Sequence, residues 1–199
     1  MRLSIHTSTF LDEFKQICEK LDFSKIEQMA KSLAGIRDRH GRLFIIGVGG
    51  SAANASHAVN DFRKLCRIEA YAPTDNVAEL TAIANDIGWN DIFSHWLDES
   101  NFSRNDGLLV LSVGGGHKKA SHIVSECLVR AMILAKEKKA TTLSIVGKPD
   151  GYAALHSDVA VITPEINSLR ITPHAEATQS VLLHLLTSHP VLQRHATKW

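Results

Sequence analysis

The chain has 199 residues, 44% hydrophobic and 22% charged, with a formal net charge of +1. That composition supplies a full apolar core and excludes broad electrostatic attraction to nucleic acid or to a membrane surface. Three scattered cysteines without a CxxC pair, no apolar run near the roughly 20 residues of a membrane span, and a start (MRLSIHTSTF) without a leader's apolar stretch make the cytoplasm the expected location.

Residues 8 to 38 carry two apolar stripes at helical spacing: Leu11, Phe14, Cys18 and Leu21, then Ile26, Met29, Leu33 and Ile36. They read as a helical front segment, of the kind that packs on a partner chain or over a sheet. Leu43-Phe44-Ile45-Ile46 is a short buried strand, followed by a helix from about Ser51 to Leu65 and a short strand near Ile68 to Tyr71. Residues 76 to 99 read as helix, loop and helix, interrupted at Asn85-Asp86-Ile87-Gly88. The next buried strand, Leu108-Leu109-Val110-Leu111, ends in Gly114-Gly115-Gly116 and enters a helix running to about Lys136. Thr142 to Val146 and Val159 to Ile162 are further strands, and a helix from about Pro173 to His189 closes the chain. Strands that alternate with helices, and that are continuous apolar runs, predict an α/β fold with a parallel sheet covered on both faces. A single domain over 1–199 is expected, with a helical extension at 1–40 and an α/β core with its C-terminal helix at 41–190.

Two glycine loops fall where strands meet helices, at the sheet edge where such folds bind ligands. The first is Gly47-Val48-Gly49-Gly50-Ser51. Its glycines let backbone approach a ligand, the helix start offers unpaired N–H groups, and Ser51 can cap that helix or donate to a ligand oxygen. It lacks the GxGxxG spacing of dinucleotide sites. The second is Ser112-Val113-Gly114-Gly115-Gly116, followed by His117, Lys118, Lys119 and Ser121. Its backbone N–H groups, hydroxyls and adjacent positive charge suit a phosphate. Alone, the first loop also fits a tight turn capped by Ser51 and the second a flexible surface loop; the pair on one edge points to an anion site.

Gly47-x-Gly49-Gly50-Ser51 followed by His57, and the block Asn85-Asp86-x-Gly88-Trp89-Asn90-Asp91-Ile92-Phe93-Ser94, resemble the sugar isomerase (SIS) domain proteins and, among them, the phosphoheptose isomerases. The second block is close to that family's NDFGFNDIFS. The resemblance runs from the N-terminal helices to about His189. It implies a flavodoxin-like core with a five-stranded parallel sheet, and a homotetramer with sites shared at subunit interfaces. It also implies conversion of sedoheptulose 7-phosphate to D-glycero-D-manno-heptose 7-phosphate, the first step toward nucleotide-activated heptose. Val48, Gly49, Gly50 and Ser51 would then line the sugar site with Asn85 and Asp86 beside them, while Ser112, Val113, Gly114, Gly115 and Ser121 would form the phosphate loop.

His57 and Asp61 stand four apart on a helix and share a face, a reasonable half-site for zinc. By resemblance, the metal positions, which read His, Glu, Gln and His in the family, are His57, Asp61, Glu176 and His184 here, with one zinc per subunit and Glu176 also facing substrate. Residues eight apart on a straight helix lie about 12 Å apart along its axis. Either the last helix begins after Glu176, or Glu176 and His184 serve different parts of the site. The ordinary alternatives are a solvated His–Asp pair and a core histidine at His184, among leucines. Aldose–ketose isomerisation needs a base and an acid near the sugar; the resemblance gives these roles to Asp61 and His184. The triglycine loop lacks two hydroxyls of the family's Ser-Thr-Ser-Gly-x-Ser pattern. That keeps open an isomerase of another sugar phosphate, a non-catalytic protein that senses one, and a protein-binding member of the replication-initiator-associating type.

Overall fold

The computed structural model describes residues 2–116, 118–119 and 122–197, with residues 2–4, 118–119 and 122–123 described by backbone alone. Helices α1 (Arg2–Lys20) and α2 (Phe23–Asp38) come first. The helical stretch expected over 8–38 thus starts earlier and is divided in two. The division falls at Asp22, between the two stripes; its carboxylate accepts from the N–H groups of Ser24 and Lys25 and caps α2, a strong local signal for a helix start.

Beyond them the chain alternates: β1 (Leu43–Ile46), α3 (Gly50–Cys66), β2 (Ala70–Tyr71), α4 (Val77–Asp86), α5 (Ile92–Glu99) and β3 (Gly107–Ser112). Then come a ribbon of β4 (Lys118–Lys119) and β5 (His122–Ile123), followed by α6 (Glu126–Glu137), β6 (Thr141–Val146), α7 (Tyr152–His156), β7 (Val159–Ile162) and α8 (Ile171–Thr187). The ribbon corrects the helix expected to run from the triglycine to Lys136. Gly115 and Gly116 take φ of 61° and 80°, a left-handed backbone that reverses the chain and cannot continue as a right-handed helix.

The five-stranded sheet has the order β2-β1-β3-β6-β7 with every pair parallel. Alternate strand residues go to opposite cores. Leu43, Ile45, Leu109, Leu111, Leu143 and Ile145 join side chains of α2, α3 and α8 on one face. Phe44, Ile46, Leu108 and Val110 join those of α5 and α6 on the other. Burial on both faces is why the strands are apolar without a break. No described helix is long and apolar enough to cross a membrane.

The sheet order reverses direction at β1. From β1 the chain crosses through α3 to β2 on one side; from β3 it crosses through α6 to β6 on the other. The carboxyl ends of β1 and β3 therefore lie side by side while their outgoing chains diverge, which opens a crevice at the switch point. The 85–94 block helps to set the second of these paths. Arg130 of α6 donates to Asp91 (2.7 Å) and Glu126 (2.6 Å), and Ser94 donates to the Asp91 carbonyl. These two acidic partners raise the Arg130 pKa.

Candidate functional site

At the carboxyl end of β1, Gly49 has φ 66° and ψ −129° and stands as the N-cap of α3. A side chain there would be strained, so glycine is required. No side chain caps this helix, which rules out the first of the two roles open to Ser51; Ser51 lies inside the first turn and is 2% exposed. Val48, Gly49 and Gly50 are exposed. The carboxylate of Glu176, on α8, lies against Gly50, so close that an added Cβ would fall 2.5 Å from its Oε2. The missing side chain at residue 50 gives Glu176 its place, and the positive end of α3 favours a carboxylate there.

The second loop leaves β3 at Ser112. The Ser112 hydroxyl accepts from Gly115 N–H at 2.9 Å, and the carbonyls of Val113 and Gly115 accept from Gly147 and Ala153. Ser112, 6% exposed, therefore holds the loop's shape. Val113 and Gly114 face a groove of about 390 Å³ whose walls also include Lys148, Ser168 and Thr172. Sequence reasoning passed over these three, although Lys148 stands two residues past β6, at the same sheet edge as both loops. Ser121 and His117 lie outside the described residues. Asn85 and Asp86 are exposed at the end of α4 and hydrogen-bond one another at 2.7 Å, and none of the cavities described here includes them.

Helices α3 and α8 run side by side in the same direction: Asn54 donates to the Glu176 carbonyl and the Gln179 side chain, while Cys66 donates to the Thr187 carbonyl. This register carries His184 to the face that presents His57 and Asp61. The Oδ2 of Asp61 lies 3.4 Å from His57 Nε2 and 3.5 Å from His184 Nδ1, and one ligand atom from each residue falls within 4.8 Å of the others. Two donors bound to a tetrahedral zinc at its ordinary bond lengths stand about 3.4 Å apart. The two edges through Asp61 match that spacing, and two imidazoles with one carboxylate form a set that leaves a coordination position open. The imidazole side chains are 53% and 52% exposed, and cavities of about 420 and 160 Å³ adjoin the group.

Glu176 does not join this group. It lies on α8 two turns before His184 and faces Gly50, the second of the two arrangements the spacing allowed. By helical rise, His57 and Asp61 stand about 10 and 16 Å along α3 from Gly50. Within one chain the glycine loops and the His–Asp–His group are therefore separate places.

A family profile for the SIS domain matches residues 9–147. The phosphoheptose isomerase of Sulfurimonas denitrificans is 31% identical over 153 residues, 74% of either chain. That of Helicobacter pylori (strain ATCC 700392 / 26695) is 27% identical over 175 residues, 85% of this chain and 83% of the relative. Among solved structures, the phosphoheptose isomerases of Francisella tularensis and Neisseria gonorrhoeae superpose with TM-scores of 0.78 and 0.77 at 22% and 23% identity, covering 94% of this chain and 96% of theirs. These two confirm the five-stranded α/β fold.

Proposed function

The chain belongs to the SIS domain family and is similar to its phosphoheptose isomerases over most of its length, and from that premise we propose that it isomerises a sugar phosphate, with sedoheptulose 7-phosphate as substrate and D-glycero-D-manno-heptose 7-phosphate as product. The observation that carries this reading is the convergence of His57, Asp61 and His184 from two helices onto one point. The aldose–ketose step moves one proton between neighbouring carbons. Asp61 takes a proton from C1 of the ketose, giving an enediol, and C2 is then reprotonated while the O1 oxygen becomes the aldehyde. His184, 3.5 Å from the Asp61 carboxylate, relays the proton between the two oxygens. His57 and His184 flank the Asp61 carboxylate at 3.4 and 3.5 Å. A zinc ion on these three residues would supply Lewis-acid polarisation of the carbonyl. Metal binding and base strength compete at Asp61, so metal content and rate need to be measured together.

The second loop, which lacks two hydroxyls of the family pattern, favours a second reading, the same chemistry on a different sugar phosphate. Proton NMR of the purified protein with sedoheptulose 7-phosphate and, separately, with other ketose phosphates, with and without added zinc, decides between them. Conversion is the expected result. No turnover in either condition, together with no zinc in the preparation, overturns the isomerase reading; turnover of a different sugar phosphate alone supports the second.

A further inference from the structure

Resting on the sugar-phosphate reading, we propose that the Lys148 ammonium is the cation that holds the phosphate, in the groove beside the triglycine loop, and that Glu165 occupies it until the ligand arrives. Strands β3 and β6 pair in register up to Ser112↔Val146, and the contact continues one step further, where Gly147 N–H donates to the Val113 carbonyl at 2.9 Å. Lys148 follows directly and emerges beside Gly114. It is the one charged side chain among the described residues that line the groove, whose walls also offer the hydroxyl-bearing Ser168 and Thr172. The loop's own hydrogen-bonding groups are partly committed. The buried Ser112 hydroxyl and the Gly115 N–H are bonded to each other. Lys148 adds a donor from outside the loop, and a lysine, as a compact point charge, serves a phosphate without demanding a fixed geometry.

Lys148 Nζ lies 2.7 Å from Glu165 Oε2, with the two side chains 33% and 39% exposed. A pair so open to water contributes little stability. A phosphate monoester, with nearly two negative charges and three acceptor oxygens, can take the lysine over. The first loop has the opposite charge: the Glu176 carboxylate against Gly50 repels a phosphate and accepts from sugar hydroxyls. The two side chains orient the ligand, its phosphate toward Lys148 and its polyol toward Glu176; because Asp61 stands about 16 Å along α3 from Gly50 within one chain, the reacting carbons then meet the His–Asp–His group of a neighbouring subunit in the proposed homotetramer.

The test is calorimetric titration of wild type, Lys148→Gln, Lys148→Arg and Glu165→Gln with sedoheptulose 7-phosphate and with unphosphorylated sedoheptulose, each protein's fold being verified by circular dichroism. Lys148→Gln should weaken the phosphorylated ligand about 10- to 100-fold and leave the unphosphorylated sugar unchanged, a split that general damage to the site would not give. Lys148→Arg should recover most of the loss. Glu165→Gln should tighten the phosphorylated ligand a few-fold, and no gain would overturn the part given to Glu165. Wild-type affinity in a folded Lys148→Gln protein would overturn the assignment of Lys148. Failure of wild type to bind any sugar phosphate would instead sink the reading on which it rests, and would be seen before any variant is compared.

Discussion

In the proposed reaction the base is Asp61, one carboxylate that faces two imidazoles at almost equal distance. Asp61→Asn keeps the shape and removes both charge and basicity. It should lower kcat by about 10²- to 10⁴-fold with an unchanged circular dichroism spectrum, and atomic emission should find less zinc; full activity would remove Asp61 from the mechanism. A second residue-scale device is Glu13 of α1. Its carboxylate accepts from His174, Asn167 and Arg170 at 2.7–2.8 Å. The hydrogen bond from His174, followed by those from Asn167 and Arg170, pulls its pKa from an ordinary 4.5 to about 2. Because the folded value is the lower one, this stabilisation is complete above about pH 4.5 and fades as pH falls toward 2. Glu13→Gln should therefore be less stable than wild type near neutrality, with the gap in urea midpoint closing between about pH 4.5 and 2; a gap independent of pH would contradict it. The His57–Asp61 pair was legible from its one-turn spacing. Glu13 was not, since its partners stand on a helix start at the far end of the chain.

At the scale of elements, the glycine loops show how local chemistry sets a path. Gly116 has φ 80° and its Cα lies against the Val129 side chain. Gly116→Ala should cost about 2 kcal/mol or more in urea unfolding, from left-handed strain and overpacking together, whereas a loss under half of that would show the loop to be adjustable. The buried strands could be read directly, because burial on both faces leaves apolar runs with no polar interruption. The β4–β5 ribbon could not. Two-residue strands carry no period, and the glycines that turn the chain into them also fit a helix start. The division at Asp22 falls between the two apolar stripes; each stripe carries helical spacing, but only the cap shows where the second helix begins.

For the whole molecule, α1 is largely uncovered by its own chain: among its described side chains Glu13 and Ile17 alone are buried, while Ile5 and Leu11 are 64% and 61% exposed. The homotetramer implied by the family resemblance is proposed here as well, with these residues at an interface. Sedimentation equilibrium should return about four times the 21.9 kDa of one chain, and a monomeric mass would overturn it. The alternation of strand and helix, the parallel sheet, and the placement of both glycine loops at strand ends were determined by the sequence alone, because each rests on a pattern a few residues long. The tertiary structure decided which distant residues meet. The register of α8 against α3 brings His184 to Asp61 and sends Glu176 to Gly50, and the pairing of β6 beside β3 sets Lys148 at the second loop. Those meetings depend on side-chain packing between elements far apart in the chain, and no local spacing encodes it.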